Sequence, residues 1–197
     1  MKVLKSNLRN MVLSLGGISL IVAAVLAGVR IATSGPIAES EQKAKEAALS
    51  AVLPQFANNP GDDAKDITLQ GDSKPVKVYP GYDAGGELTG IAVESYTMDG
   101  FSGEIDVLVG FDADGALNGY QILSSAETPG LGAKAQEWFS DKTGHRSVLG
   151  STQELSVSKD GGTVDAITAA TITSRAFLQA INRARKAMRE FQNLSKK

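Results

Sequence analysis

At 197 residues without a cysteine, the chain suits one medium domain and offers no thiolate to zinc, an iron–sulfur cluster or a disulfide. A single histidine excludes multi-histidine metal sites, and a net charge of −2 argues against a nucleic-acid binder. Any redox chemistry must come from a bound organic cofactor.

The amino terminus sets the compartment. Residues 11–29 are apolar apart from Ser14, Ser19 and three glycines, and at about 1.5 Å per residue they span the roughly 30 Å hydrocarbon core of a bilayer. Lys2, Lys5 and Arg9 precede this run without an acidic residue, and only Arg30 stands at its far edge. The positive-inside rule then makes residues 1–10 a cytoplasmic tail and 11–30 a transmembrane helix in contact with lipid, with everything after it outside. In a bacterium this is the inner membrane and its periplasmic or external side. A cleaved signal peptide is the competing reading, since Ala27-Gly28 is small enough for cleavage. The length of the apolar run favours a retained anchor.

Ser34-Gly35-Pro36 is expected to break the helix, with Pro36 in the first turn of a new one that stops before Pro54. Residues 31–74 thus read as a linker helix and a loop. Asp62, Asp63 and Asp66 lie in its polar part, 58–73, at a spacing that fits no calcium loop. Alternating or apolar runs follow at 76–79, 88–96, 105–111 and 117–123. The turn sequences between them, at 83–86, 99–100 and 112–115, are rich in Asp and Gly. Four hairpin-linked strands predict an antiparallel sheet. A short helix over 133–139 should pack Trp138 and Phe139 on it. Two more strands are expected at 155–158 and 163–167, around the turn at Asp160, Gly161 and Gly162. His145 reads as part of a surface loop.

Phe177, Ala180, Ile181, Ala184, Met188 and Phe191 recur three or four residues apart, predicting a closing amphipathic helix whose negative end suits Lys196 and Lys197. Just before it, residues 165–174 hold four hydroxyl side chains and three alanines. Thr173 or Ser174 is the expected N-cap, with Thr171 just outside the helix mouth. Unpaired backbone N–H groups collect there and favour a phosphate. The plainer reading is an ordinary capped helix. Earlier in the chain, Glu127, Thr128, Pro129, Gly130, Leu131 and Gly132 form a turn whose lack of side chains would let a planar ring approach the backbone.

Both stretches resemble those of the FMN-binding subunits of Rnf and Na+-translocating NADH:quinone reductase complexes. The family's attachment pattern is Asp, two variable residues, Ser or Thr, Gly, Ala, Thr. Asp165, Thr168, Ala170 and Thr171 match it, and Ala169 stands where glycine is usual, a position at which a methyl group disfavours φ > 0. In the family the last threonine carries FMN through a phosphoester made by a separate flavin transferase from FAD. The resemblance therefore implies covalent FMN on Thr171, with Asp165, Thr168, Ala169, Ala170, Ile172 and Thr173 around it. It also implies that residues 127–132 lie beside the flavin, since all six match a Glu-Thr-Pro-Gly-Leu-Gly segment of the family. Ser125 stands where a histidine is common, so no proton-transfer role is assigned.

The resemblance covers roughly 76–188. It implies an α+β FMN-binding domain over 75–197, an antiparallel sheet with flanking helices behind one transmembrane helix. The likeness is greatest to the G-type member of the Rnf complex, which works with other membrane subunits to couple ferredoxin–NAD electron transfer to ion movement. No catalytic residue and no metal ligand is assigned, and activity of the chain alone is not expected. The C-type member of the quinone reductase and a non-redox anchored domain are the alternatives.

Overall fold

The computed structural model describes residues 7–72, 74–127 and 131–195. Lys2, Lys5, Thr128, Pro129, Gly130, Lys196 and Lys197 lie outside them, and the side chains of Leu131 and Gly132 are likewise not described. Two compact units are present, Met1–Lys45 and Glu46–Lys197.

Helix α1 (Leu8–Val52) supplies the first unit, and its last residues, 46–52, belong to the second. Its most apolar 18 residues reach a mean hydropathy of 2.4, and none of that window is buried. Leu13, Leu20, Ile21 and Leu26 are all exposed. By length and composition this is a helix able to cross a membrane. The break expected at Ser34-Gly35-Pro36 does not occur: Pro36 lies inside a continuous 45-residue helix. An internal proline removes one backbone bond and costs about 3 kcal/mol, and uninterrupted turns on both sides carry the helix through it. The Thr33 hydroxyl donates to the Val29 carbonyl at 2.9 Å and that of Ser34 to Ile31 at 3.0 Å, adding local bonds just before the proline.

The second unit is built on a five-stranded antiparallel sheet in sequence order: β1 (Lys65–Ile67), β2 (Val76–Tyr82), β3 (Leu88–Thr97), β4 (Ile105–Asp112) and β5 (Leu117–Ser125). Four strands stand where the alternation placed them. β1 corrects the loop expected over 58–73. It pairs Lys65, Asp66 and Ile67 with Val78, Lys77 and Val76, and only Ile67 is buried, so three residues gave no alternation to read. The turns use the predicted chemistry. Asp83 Oδ1 accepts the N–H groups of Gly85 and Glu87, Asp112 Oδ1 that of Ala116, and Gly86 and Gly115 take φ of 83° and 82°.

Both faces of the sheet are covered. On one, Val78, Ile91, Val93, Val107, Val109 and Phe111 are buried with helix α3 (Thr171–Ser195). All six positions of the predicted helical stripe are buried there. Phe177 stacks on Phe139 at 4.7 Å and meets Tyr120 edge-on at 5.0 Å. On the other face, Tyr79, Ala92 and Leu108 pack with Leu49, Val52 and Leu53. That approach needs glycine. A Cβ on Gly110 would run into the Val52 carbonyl oxygen, which also accepts a bond from Asn118 Nδ2 at 2.8 Å.

Helix α2 (Leu131–Trp138) starts two residues earlier than expected, so Leu131 and Gly132 open a helix rather than end a turn. Its Gln136 imitates a strand. Oε1 accepts the Ile122 N–H at 2.9 Å and Nε2 donates to the Tyr120 carbonyl at 3.0 Å, along the outer edge of β5. Lower on that edge, Leu117 exchanges backbone bonds with Gly150 and Ser151.

The two strands expected at 155–158 and 163–167 are not formed. A single parallel bridge joins Val157 to Val164, and a 3-10 turn, Ser158–Asp160, fills the space between. The Asp-Gly-Gly sequence closes this turn tightly through Gly161 at φ 82°, which leaves no length for a hairpin.

Candidate functional site

The site forms where three connections meet the start of α3. Backbone bonding begins with the Ser174 N–H donating to the Ala170 carbonyl at 3.0 Å, which makes Ala170 the N-cap and Thr171 the first helical residue. The expected caps are thus corrected: Thr173 and Ser174 are buried inside the first turn. Their hydroxyls are used elsewhere. Ser174 Oγ accepts the Ile167 N–H and donates to the Ala170 carbonyl, both at 2.9 Å. Thr173 Oγ1 donates to Glu127 Oε2 at 2.9 Å.

That last bond joins the two stretches singled out in the sequence, 46 positions apart. Glu127 is buried, and its other oxygen, Oε1, accepts the Ser102 N–H at 3.2 Å. One carboxylate therefore ties the β3–β4 loop and the first turn of α3 to the start of the glycine-rich segment. The far end of that segment is also fixed, because α2 is held by Gln136 and by Trp138, whose Nε1 donates to the Asp165 carbonyl at 2.8 Å. Thr128, Pro129 and Gly130 between them lie outside the described residues.

Asp165 works as a joint. Its carboxylate accepts from Ser158 Oγ at 3.1 Å and from the His145 N–H at 3.4 Å, and its own N–H donates to the His145 carbonyl at 2.7 Å. His145 itself is exposed, as expected, and serves through its backbone. Thr168 and Ala169 are exposed, and Ala170 is buried. Ile172, next to Thr171 in the chain, is 49% exposed.

Ala169 holds φ at 63°, the one positive φ outside glycine among the described residues. The glycine usual in the resembling family would sit there without strain; the methyl costs about 1 kcal/mol. Ala169→Gly should therefore raise stability by roughly that amount, discounted for glycine's freedom in the unfolded chain. A denaturant midpoint equal to or below that of the parent protein would show the left-handed backbone to be unstrained.

Lys159 has no motif to mark it in the sequence, where it is one charge in a turn. The structure brings its Nζ to 3.4 Å from Thr171 Oγ1. Its neighbour Asp160 forms a two-pronged pair with Arg175, at 2.7 Å to Nε and 2.6 Å to Nη2. The pair holds the Asp160 carboxyl below its ordinary range and raises the Arg175 guanidinium, in each case through the hydrogen bond first and charge second. Thr171 is left partly exposed, at a helix mouth whose capping residue has no side-chain oxygen.

The FMN-binding domain family matches residues 100–186, a span that holds Glu127, Lys159 and residues 165–174. The G-type member of the ion-translocating oxidoreductase complex of Vibrio vulnificus (strain YJ016) is 34% identical over 159 residues, covering 76% of this chain and 74% of its own. Its counterpart in the Na(+)-translocating ferredoxin:NAD(+) oxidoreductase complex of Acetobacterium woodii is 36% identical over 191 residues, 91% of this chain and 89% of its own. The crystal structure of Shewanella oneidensis NqrC shares 22% identity over 71% of this chain and 66% of that one, at a TM-score of 0.39, a likeness too loose to place any residue. On the extent of these sequence matches, the chain belongs to the family of G-type subunits from ion-translocating oxidoreductase complexes.

Proposed function

We propose that the chain is a membrane-anchored electron-transfer subunit carrying FMN in phosphoester linkage on Thr171. It acts within an Rnf-type complex that couples electron flow between ferredoxin and NAD to ion movement. The junction at the start of α3 carries this reading: Thr173 bonds Glu127 at 2.9 Å, two positions from a hydroxyl at an uncapped helix mouth.

The residues suit a phosphate ester. Helix-terminal N–H groups and the positive end of the helix dipole favour an anion. When bound, FMN supplies redox chemistry that the side chains lack. The chain's own residues bind and orient it. Glu127 fixes the start of segment 127–132 against α3, Asp165 fixes the approach to the attachment threonine, and Ile172 offers apolar contact. Thr168 and Ala169 flank the same mouth. Helix α1 is the anchor in the cytoplasmic membrane, with the domain on the external side, where a cofactor that dissociated could not readily be replaced. Partners on this reading are lipid, the other membrane subunits and, during maturation, a flavin transferase.

One experiment addresses flavin and sidedness together. The full chain, produced with an active transferase, is isolated in right-side-out vesicles and run on a denaturing gel. A fluorescent band that survives denaturation, and that protease added outside removes, is the expected result. A band protected until the vesicles are opened would put the domain in the cytoplasm. Absence of any band would leave an ordinary helix start.

A further inference from the structure

We propose that Lys159 is the phosphate-binding residue of the flavin site, pairing with the charged oxygens of the ester on Thr171; this rests on the covalent FMN reading above.

The 3-10 turn that carries Lys159 is fastened on both sides. Before it, the Ser158 N–H donates to the Val164 carbonyl at 2.8 Å and Ser158 Oγ to Asp165 Oδ1 at 3.1 Å. After it, the Asp160 carboxylate grips Arg175, one helical turn beyond Thr171. The turn closes on itself, with the N–H groups of Gly161 and Gly162 donating to the Ser158 and Val157 carbonyls. A Cβ on Gly162 would run into the Ser156 carbonyl oxygen, so the backbone has little freedom to shift. Between these two fastenings Lys159 reaches out, and its Nζ ends 3.4 Å from Thr171 Oγ1.

Charge sorting strengthens the assignment. Arg175 stands nearer in sequence, and Asp160 occupies two of its guanidinium nitrogens. Lys159 is the cation that meets the hydroxyl itself. An ammonium has three donors and no acceptor, so Lys159 cannot take the hydroxyl proton; what it can do is offset negative charge on phosphorus-bound oxygen.

In attachment from FAD, Thr171 Oγ forms a bond to the phosphorus on the FMN side. The pyrophosphate P–O bond breaks, AMP leaves with the bridging oxygen, and the hydroxyl proton passes to a base of the transferase or to water. The product is a phosphodiester with one negative charge, held where Nζ already lies.

The test uses purified full chain in detergent, with flavin transferase and FAD, followed by intact mass and, after complete loading, by 31P NMR. Lys159→Ala should load roughly two- to fivefold more slowly, since a charged hydrogen bond is lost at an exposed site, and the 31P resonance of the loaded protein should move. Lys159→Arg should restore most of the rate. The resonance decides, because no transferase is present when it is read: an unchanged 31P signal in loaded Lys159→Ala protein overturns the assignment, whatever the loading rate. Parent protein that takes no flavin would overturn the attachment reading instead, and this role with it.

Discussion

Thr171→Ala should give a folded, membrane-inserted chain with no covalent flavin at all. A phosphoester needs a free hydroxyl oxygen, and four stand within seven residues, on Thr168, Thr171, Thr173 and Ser174. The structure removes two. Thr173 is buried and engaged with Glu127, and Ser174 is buried and bridges Ile167 to Ala170. Thr168 is exposed but stands ahead of the strained Ala169, on the approach to the helix. Thr171 alone combines exposure with the first helical position and a neighbouring ammonium. The expected loss is complete: intact mass should lack the increment of one FMN less one water. The cost in stability should stay within about 0.5 kcal/mol, since the hydroxyl caps nothing. Thr171→Ser should still be modified. Retention of in-gel fluorescence by the alanine variant, or a flavinylated peptide mapped to Thr168, would show the assignment to be wrong.

The largest expected effect on stability lies far from that site, at Gly110. It sits mid-strand in β4 between Ala92 and Gly119, and the Val52 backbone lies across it. A methyl group there would stand 2.5 Å from the Val52 carbonyl carbon and nearer still to its oxygen, and no rotamer relieves the clash. The segment must lift, and Leu49, Val52 and Leu53 lose contact with Tyr79, Ala92 and Leu108. Overpacking alone costs about 1–3 kcal/mol, and partial exposure of even one large apolar side chain adds about 1 kcal/mol more. Gly110→Ala should therefore destabilise by roughly 3 kcal/mol or more. Gly119→Ala, whose nearest contact would be 3.1 Å, should cost clearly less. Thermal melting of the full chain in detergent gives the order. Equal melting of Gly110→Ala and the parent chain would mean that this face is not tightly docked.

The sheet is legible in the sequence because its four long strands are either alternating or doubly buried and are separated by Asp–Gly turns, so period and punctuation agree. The closing helix is legible for the same reason, in a stripe whose every member is buried. What fails is short or depends on distant partners. β1 has three residues and one buried side chain; its strand character comes from β2. Residues 155–167 have strand-like composition, yet two glycines close them into a turn too tight to pair as a hairpin. The helix cap falls elsewhere than its hydroxyls suggest because Thr173 and Ser174 have better partners in Glu127 and Ile167, and nothing local announces either. Pro36 fails to stop its helix because one lost backbone bond is small against the turns that continue on either side. At the site, the family resemblance is what singles out Thr171 and Glu127 as candidates. Their linkage through Thr173, and the arrival of Lys159, are products of tertiary folding.

The side-chain amide of Gln136 on β5 has a consequence for how the subunit can associate. An open strand edge is a template on which another chain can add as a further strand, the route to edge-to-edge aggregation and to docking by strand addition. Here one glutamine occupies the Tyr120 carbonyl and the Ile122 N–H, and residues 150–151 occupy Leu117. A neighbouring protein therefore cannot extend the sheet over this stretch without first unseating α2. Any assembly through this side must rely on side-chain complementarity, which discriminates between partners where a bare backbone edge does not.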